Sequence, residues 1–316
     1  MFHRAKGSLT ARRPLAALLA AGLLGTAGSM PNPCPAENLA LTFDDLPLNG
    51  TLAPDMTRAG IVQEVLAILQ KRHVPPVYGF VNAKRLENEP DGAEALKAWV
   101  AGGQPVGNHS YSHFDLSKVP SAVFLTDVHQ NQPVLELLSR DGWRWFRYPF
   151  LHEGDTLEKR RAVRKDLQET GYRIAQVTID WEDYLWNSPY ARCTAKRESE
   201  ALARLRSGYL TLASAYIDAD RQMAQMIFGR PISHVVLLHL GAFSSAILPD
   251  LLDLLQKKGF TLVTLEEAQK DPAYQSDPDA ASATGGTLLE QWLDARKMKY
   301  PLAPGKPYKE LAQMCQ

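Results

Sequence analysis

The sequence predicts an α/β fold built on a parallel sheet. Three observations carry the prediction. Short apolar runs rich in β-branched and aromatic residues recur along the chain, longer segments with the helical period lie between them, and each such segment ends at a Gly or a polar break. The expected strands are Leu39–Asp45, Val77–Asn82, Val106–Asn108, Trp145–Tyr148, Tyr172–Asp180, His234–Leu240 and Phe260–Thr264. The first expected helix covers Thr57–Arg72, where Ile61, Val62, Val65, Leu66 and Leu69 mark one buried face. Others cover Ala93–Ala101, Val119–Ser139, Leu157–Glu169 and Ile247–Lys258. Strands alternating with helices fit a parallel barrel or an open doubly wound sheet, because both bury apolar strands on two faces. Periodicity does not separate the two.

The expected organisation is one barrel-sized domain over residues 30–270, followed by a C-terminal loop and short helix over 271–316. Residues 182–232 are long for one connection and hold a helix near Lys196–Phe228, so they read as an insertion. Residues 271–286, rich in Asp, Ala, Ser and Gly, predict an exposed loop before a helix near Leu288–Lys297.

A hydrophobic fraction of 45% with 22% charged residues excludes a wholly disordered chain. Lys plus Arg equals Asp plus Glu at 35 each, so net charge favours neither a nucleic acid nor an anionic membrane as partner. A neutral or small substrate fits better. Residues 1–29 carry Arg4, Lys6, Arg12 and Arg13 ahead of an apolar run from Leu15 to Leu24, with small residues Ala27 and Ser29 beyond it. That is the pattern of a signal peptide, and the run is too short to span a bilayer. Export to the periplasm or outside the cell is therefore expected, with no membrane attachment after cleavage. In an oxidising compartment Cys34, Cys193 and Cys315 could form one disulfide and leave one thiol, with the pairing open.

Five polar clusters stand at the carboxyl ends of expected strands: Thr42–Asp45, Asn108–His113, Arg147–Phe150, Asp180 with Trp181, and His239. In α/β barrels that end carries the active site. His109 and His113, four apart, would present two imidazoles on one side of a helical turn, with room for one cation. A third ligand can come from Asp44 or Asp45. Adjacent residues on an extended strand face opposite ways, so the two carboxylates are expected to divide the work, one on metal and one on protons. The plainer alternatives are a helix start for the histidines, a turn cap for the aspartates, and a core role for His239 and Trp181.

Taken in order, the clusters resemble the polysaccharide deacetylases of carbohydrate esterase family 4. Leu41-Thr-Phe-Asp-Asp45, Asn108-His-Ser-Tyr-Ser-His113, Arg147-Tyr-Pro-Phe150, Asp180-Trp181 and Leu237-Leu-His239 look like that family's successive motifs, across Leu39 to Ala268. The sequence departs from the pattern at Leu46-Pro47, Val177 and Leu240. The resemblance implies a distorted parallel (β/α) barrel of about seven strands and one divalent metal ion, commonly zinc, on Asp45, His109 and His113. It further implies Asp44 as general base, Arg147 orienting it, His239 as general acid and Asp180 tuning His239. Phe150 would offer its backbone N–H to the oxyanion, and Trp181 would wall the acetyl methyl. The implied activity is removal of acetyl groups from an N-acetylated carbohydrate by a monomer. The alternatives are a non-catalytic carbohydrate-binding relative, or an O-acetyl esterase or other C–N hydrolase with the same site. Tyr184, Trp186 and Tyr190 are candidates for stacking on sugar faces, and His152 is a lesser site candidate.

Overall fold

A computed structural model describes residues 37–89 and 91–316. The expected signal peptide and Cys34 lie outside the described residues. Among those described, no helix is long and apolar enough to cross a membrane.

Among the described residues seven strands form one parallel sheet: β1 (Glu37–Asn49), β2 (Tyr78–Val81), β3 (Val106–Asn108), β4 (Trp145–Phe146), β5 (Arg173–Ile174), β6 (His234–Gly241) and β7 (Phe260–Leu262). The order is β5-β4-β3-β2-β1-β6, with β7 pairing the start of β1. The sheet curls until the chain beyond β5 meets β6 through a bridge between Ile179 and Val236. The result is a distorted parallel barrel. The expected strand Tyr172–Asp180 is two pieces, because the backbone changes partner at this seam. Ala175 N–H donates to Phe146 of β4, whereas Thr178 and Ile179 donate to Val235 of β6.

Alternation along β1 sorts its side chains. Leu39, Leu41 and Phe43 join the outer core with Ile61, Val65 and Leu69 from α1 (Arg58–Lys71), Trp99 from α2 (Gly92–Ala101), and Leu251 and Leu255 from α8 (Ser244–Lys257). Ala40 faces a small inner core with Tyr78, Phe80, Trp145 and Val235. Its floor is α9 (Leu265–Ala268), where Leu265 and Ala268 pack and Glu266 accepts a 2.6 Å bond from Tyr78 Oη. Gly79 is needed on β2, since a Cβ there would lie 2.3 Å from Leu46 and 2.9 Å from Trp99.

The expected helix Val119–Ser139 is broken into α3 (Ser121–Gln130) and α4 (Gln132–Leu138). Pro133 cannot donate within a helix, and Asn131, at the break, is committed elsewhere. Its amide nitrogen donates to Val81 O at 2.7 Å and Asn108 Oδ1 at 2.9 Å, and its oxygen accepts from Ala83 N–H at 3.0 Å. Helix α5 (Leu157–Glu169) is capped by Thr156 Oγ1, which accepts from Lys159 N–H.

The insertion holds α6 (Asn187–Ala195) and the long α7 (Ser199–Phe228), which ends at Gly229 in the left-handed conformation that favours glycine. The C-terminal loop and helix are tied to the rest of the fold at several points. Asp277 pairs with Arg160 at 2.5 Å, and Ser282 N–H donates to Gly154 O at 3.0 Å. Leu289 and Leu293 of α10 (Leu288–Ala295) pack on Met223, Ala224 and Ile227 of α7. A further helix, α11 (Tyr308–Gln313), buries Leu311. Cys193 and Cys315 form the disulfide, clamping this segment to α6 across 122 residues of sequence. Closing so long a loop in the unfolded chain makes loss of this bond costly. Cys193→Ser with Cys315→Ser should lower unfolding free energy by about 2–4 kcal/mol, read from chemical denaturation of oxidised wild type and the double variant.

Candidate active site

The carboxyl ends of β1, β3, β4 and β6 and the chain beyond β5 surround a cleft of about 330 Å³. Asp44, Asp45, His109, His113 and His239 line it, with Phe150, Leu237, Tyr184 and Glu182 around them.

The two aspartates do not obey strand alternation. Pairing of β1 slips between Phe43 and Leu46 on one side and between Asp44 and Asn49 on the other, and Asp45 takes a left-handed φ of 64°. The bulge turns both carboxylates toward the same imidazole. His109 Nε2 lies 3.5 Å from Asp44 Oδ2 and 3.7 Å from Asp45 Oδ1. The expectation that the pair faces opposite ways fails for this reason.

The histidines are not on a helical turn either. Residues 109–113 form a loop in which Ser110 and His113 both have positive φ. Side chains from neighbouring elements hold it. Asn82 donates to the carbonyls of His109 and Ser110, Asn108 Oδ1 accepts from Ser110 N–H, and Asp127 Oδ2 accepts from Ser112 N–H. The rings meet edge to face at 4.9 Å.

His109 Nδ1 lies 2.8 Å from the Arg147 carbonyl, which can only accept, so Nδ1 carries the proton and Nε2 presents a lone pair to the cleft. Burial lowers its pKa to about 4, despite the nearby Asp45 charge. Burial and His109 lower that of His113 to about 4 as well. Both rings are neutral at pH 7, the form that binds metal. Burial alone would raise the pKa of Asp45, but His113, His239 and Arg85 outweigh it and hold the carboxyl well below its usual range. Asp45 Oδ2 accepts from Asn49 Nδ2 at 2.8 Å and lies 3.1 Å from Arg85 Nη2. Its Oδ1 is buried without a hydrogen-bond partner, 3.3 Å from His113 Nε2. An orphaned anionic oxygen beside two neutral imidazoles is a donor set suited to a cation. One ligand atom from each of Asp45, His109 and His113 lies within 4.8 Å of the others.

Asp44 is also buried, which pushes its pKa up, and the Arg147 guanidinium opposes that push. Arg147 Nη1 donates to Asp44 Oδ1 at 3.1 Å, Nε to Ala175 O at 2.6 Å and Nη2 to Thr42 Oγ1 at 3.2 Å. Its guanidinium lies 4.5 Å over the Phe80 ring. Those contacts fix the arginine at the barrel mouth.

His239 stands beside Asp44 in register on the adjacent strand. Asp183, not Asp180, is its carboxylate partner. Asp183 Oδ1 lies 2.7 Å from His239 Nδ1, and Oδ2 accepts from His239 N–H at 2.9 Å. Burial would lower the His239 pKa, but the Asp183 charge and hydrogen bond outweigh it and raise the value to about 9. Asp180 Oδ1 instead accepts from Glu182 N–H at 2.7 Å, and burial raises Asp180 to about 6. The chain turns through a 3₁₀ segment at Asp183–Trp186, which brings Asp183 rather than Asp180 beneath the histidine. The acid three residues on was visible in the sequence, but nothing in its spacing separated it from Asp180.

Trp181 does not wall the cleft. It is fully buried, 5.7 Å from the Tyr209 ring, and Leu237 and Tyr184 take the apolar side of the cleft. Phe150 has a left-handed φ of 59° and lays its half-exposed ring edge to face on His113 at 4.4 Å. Of the three aromatic candidates in the insertion, Tyr184 reaches the cleft and its ring lies 5.2 Å from His239. Trp186 is core, and Tyr190 packs on Phe243. His152 lines the rim, 2.8 Å from Asp115.

Residues 32–175 match the polysaccharide deacetylase family model. Over that stretch, a little under half of its length, the chain is similar to the polysaccharide deacetylases. It is 30% identical over 165 residues to a chitin deacetylase of Arthroderma benhamiae, covering 51% of this chain and 39% of that protein. It is 27% identical over 153 residues to a chitin deacetylase of Colletotrichum lindemuthianum, covering 48% and 54%. The matched region thus spans little more than half of either relative at most. The solved structure of the Colletotrichum lindemuthianum chitin deacetylase superposes with a TM-score of 0.50 at 23% identity, over 74% of this chain and 88% of that one. That likeness supports the fold, a polysaccharide deacetylase barrel.

The raised pKa of His239 has a sign that can be checked. A folded value of about 9 against an ordinary 6.5 stabilises the fold fully below pH 6.5, and the contribution is lost as pH rises through 9. In metal-free protein the His239 ring resonance should titrate near pH 9. Asp183→Asn should bring that midpoint below 7, and Asp180→Asn should leave it above 8, as followed by NMR.

Proposed function

We propose that this protein is an exported, metal-dependent hydrolase that removes acetyl groups from an N-acetylated carbohydrate of the chitin or peptidoglycan type. The observation that carries the reading is the unpartnered Asp45 Oδ1 between two neutral imidazoles, with Asp44 and His239 beside it on adjacent strands. The sequence similarity to chitin deacetylases supports the substrate class.

Asp45, His109 and His113 would hold one divalent ion, with zinc the best match to a carboxylate and two imidazoles. Such an ion supplies Lewis acidity, acidifying water and polarising an acyl carbonyl. Asp44, fixed by Arg147, is placed to take the proton of the attacking water. The Phe150 N–H, presented by its left-handed backbone, is the candidate donor to the developing oxyanion. His239, protonated through its contact with Asp183, gives a proton to the departing amine. Leu237 and the Tyr184 ring offer the acetyl methyl an apolar surface in place of Trp181. Residues 1–29 would direct export, and the mature chain would act as a monomer on its carbohydrate.

Metal content and acetate release should be measured together on chitin oligomers and peptidoglycan fragments. His109→Ala should lose the metal. Asp44→Asn should keep it and lose about 10² to 10⁴ of the rate. Metal binding without acetate release from any acetylated sugar would defeat the proposal.

A further inference from the structure

We propose that Glu182 accepts a hydrogen bond from a sugar hydroxyl in the cleft, and that Lys306 and Tyr308 of the C-terminal segment are its positioning residues. This rests on the deacetylase reading for its substrate class and ties the C-terminal segment to the substrate site.

Glu182 lines the cleft with a left-handed φ of 58°, and its N–H donates to Asp180 Oδ1 at 2.7 Å. A non-glycine residue held in that conformation costs of order 1–3 kcal/mol and persists when surrounding contacts fix it. Here those contacts converge on its carboxylate. Lys306 Nζ donates to Oε1 at 2.7 Å, Tyr308 Oη to Oε2 at 2.7 Å and Tyr184 Oη to Oε2 at 3.2 Å. A carboxylate offers about four lone-pair directions. Three donors leave about one for the cleft, where Glu182 keeps 22% of its side-chain surface exposed.

Charge decides what that remaining direction accepts. Asp44, Asp45 and Asp180 already line the cleft. Lys306 neutralises Glu182, so the carboxylate adds an acceptor without adding net charge. A neutral hydroxyl fits that offer better than a cation.

The donors are held firmly. Lys306 Nζ lies 5.2 Å over the Tyr216 ring. Arg192 Nη2 donates to Leu311 O at 2.9 Å and Met314 O at 3.0 Å, and Cys315 is bonded to Cys193. The same carboxylate also holds Tyr184, whose ring faces His239. Lys306 and Tyr308 therefore shape one wall of the cleft through Glu182.

The test is calorimetric binding of short chitin oligomers to the metal-loaded full chain, using wild type, Tyr308→Phe, Lys306→Met, Lys306→Arg and Glu182→Gln. Tyr308→Phe, Lys306→Met and Glu182→Gln should each weaken binding about tenfold. Lys306→Arg should recover most of it. Tyr308→Phe removes one hydroxyl and should keep the wild-type melting temperature. Where acetate is released, Tyr308→Phe should raise KM for the oligomer and leave kcat/KM for p-nitrophenyl acetate, which has no sugar ring, unchanged. Oligomer affinity unaltered by Tyr308→Phe and Glu182→Gln overturns the inference, as does the absence of oligomer binding in wild type. Oligomer binding without acetate release sinks the deacetylase reading alone, and the affinity series still decides the role of Glu182.

Discussion

Two buried carboxylates sit side by side at the end of β1, and the surrounding structure answers to that fact. Neighbouring anions in a site of low polarity repel, and burial makes each costly unless it is matched. Arg147 answers Asp44 from the loop after β4, and Arg85 with Asn49 answers one oxygen of Asp45. The other oxygen of Asp45 is left to the two imidazoles, which burial keeps neutral. The site is thus short of one positive charge at one definable point.

That shortage is built by backbone geometry that is itself held in place. The slip in β1 that brings both carboxylates together needs a left-handed Asp45, and the histidine loop needs left-handed residues at Ser110 and His113. None of these is glycine, so other contacts must stabilise each one. At Ser110, Asn82, Asn108 and Asn131 supply them, exchanging hydrogen bonds among β2, the histidine loop and the break between α3 and α4. All three are buried, and their polarity belongs to the scaffold rather than to the chemistry.

The barrel was legible in the sequence because apolar strand runs and helical periods are local signals. Val106–Asn108 and Leu157–Glu169 fall where the pattern puts them, and β1, β2, β6 and α1 differ only at their ends. The failures share a cause: each depends on a partner distant in sequence. The segment 172–180 changes strands at the seam, and Asn131 ends a helix because β2 and β3 claim its side chain. The site residues Asp44, Asp45, His109, His113, Arg147 and His239 converge on one cleft or its supports. Their spacing, however, pointed to a helical turn and an alternating strand that are not there. Nothing in the sequence marks Asp183 or Glu182, because a buried acid and its neighbour look alike there. Nothing marks Lys306 or Tyr308 either, because their segment carries no motif.

Asp44 and His239 are neighbours across β1 and β6, and their protonation states would collapse without outside help. Burial favours neutral forms for both, so a proton would pass from the histidine to the carboxylate and leave neither fit for its proposed role. Opposite counter-charges prevent this. Arg147 supports the anion of Asp44, and Asp183 supports the cation of His239, each arriving from a different loop. In the proposed reaction the direction of proton flow would be fixed by two partners that need not touch the substrate. It is the separation of these clamps, one on each side of the β1–β6 pair, that lets adjacent positions on one sheet hold a base and an acid at the same pH.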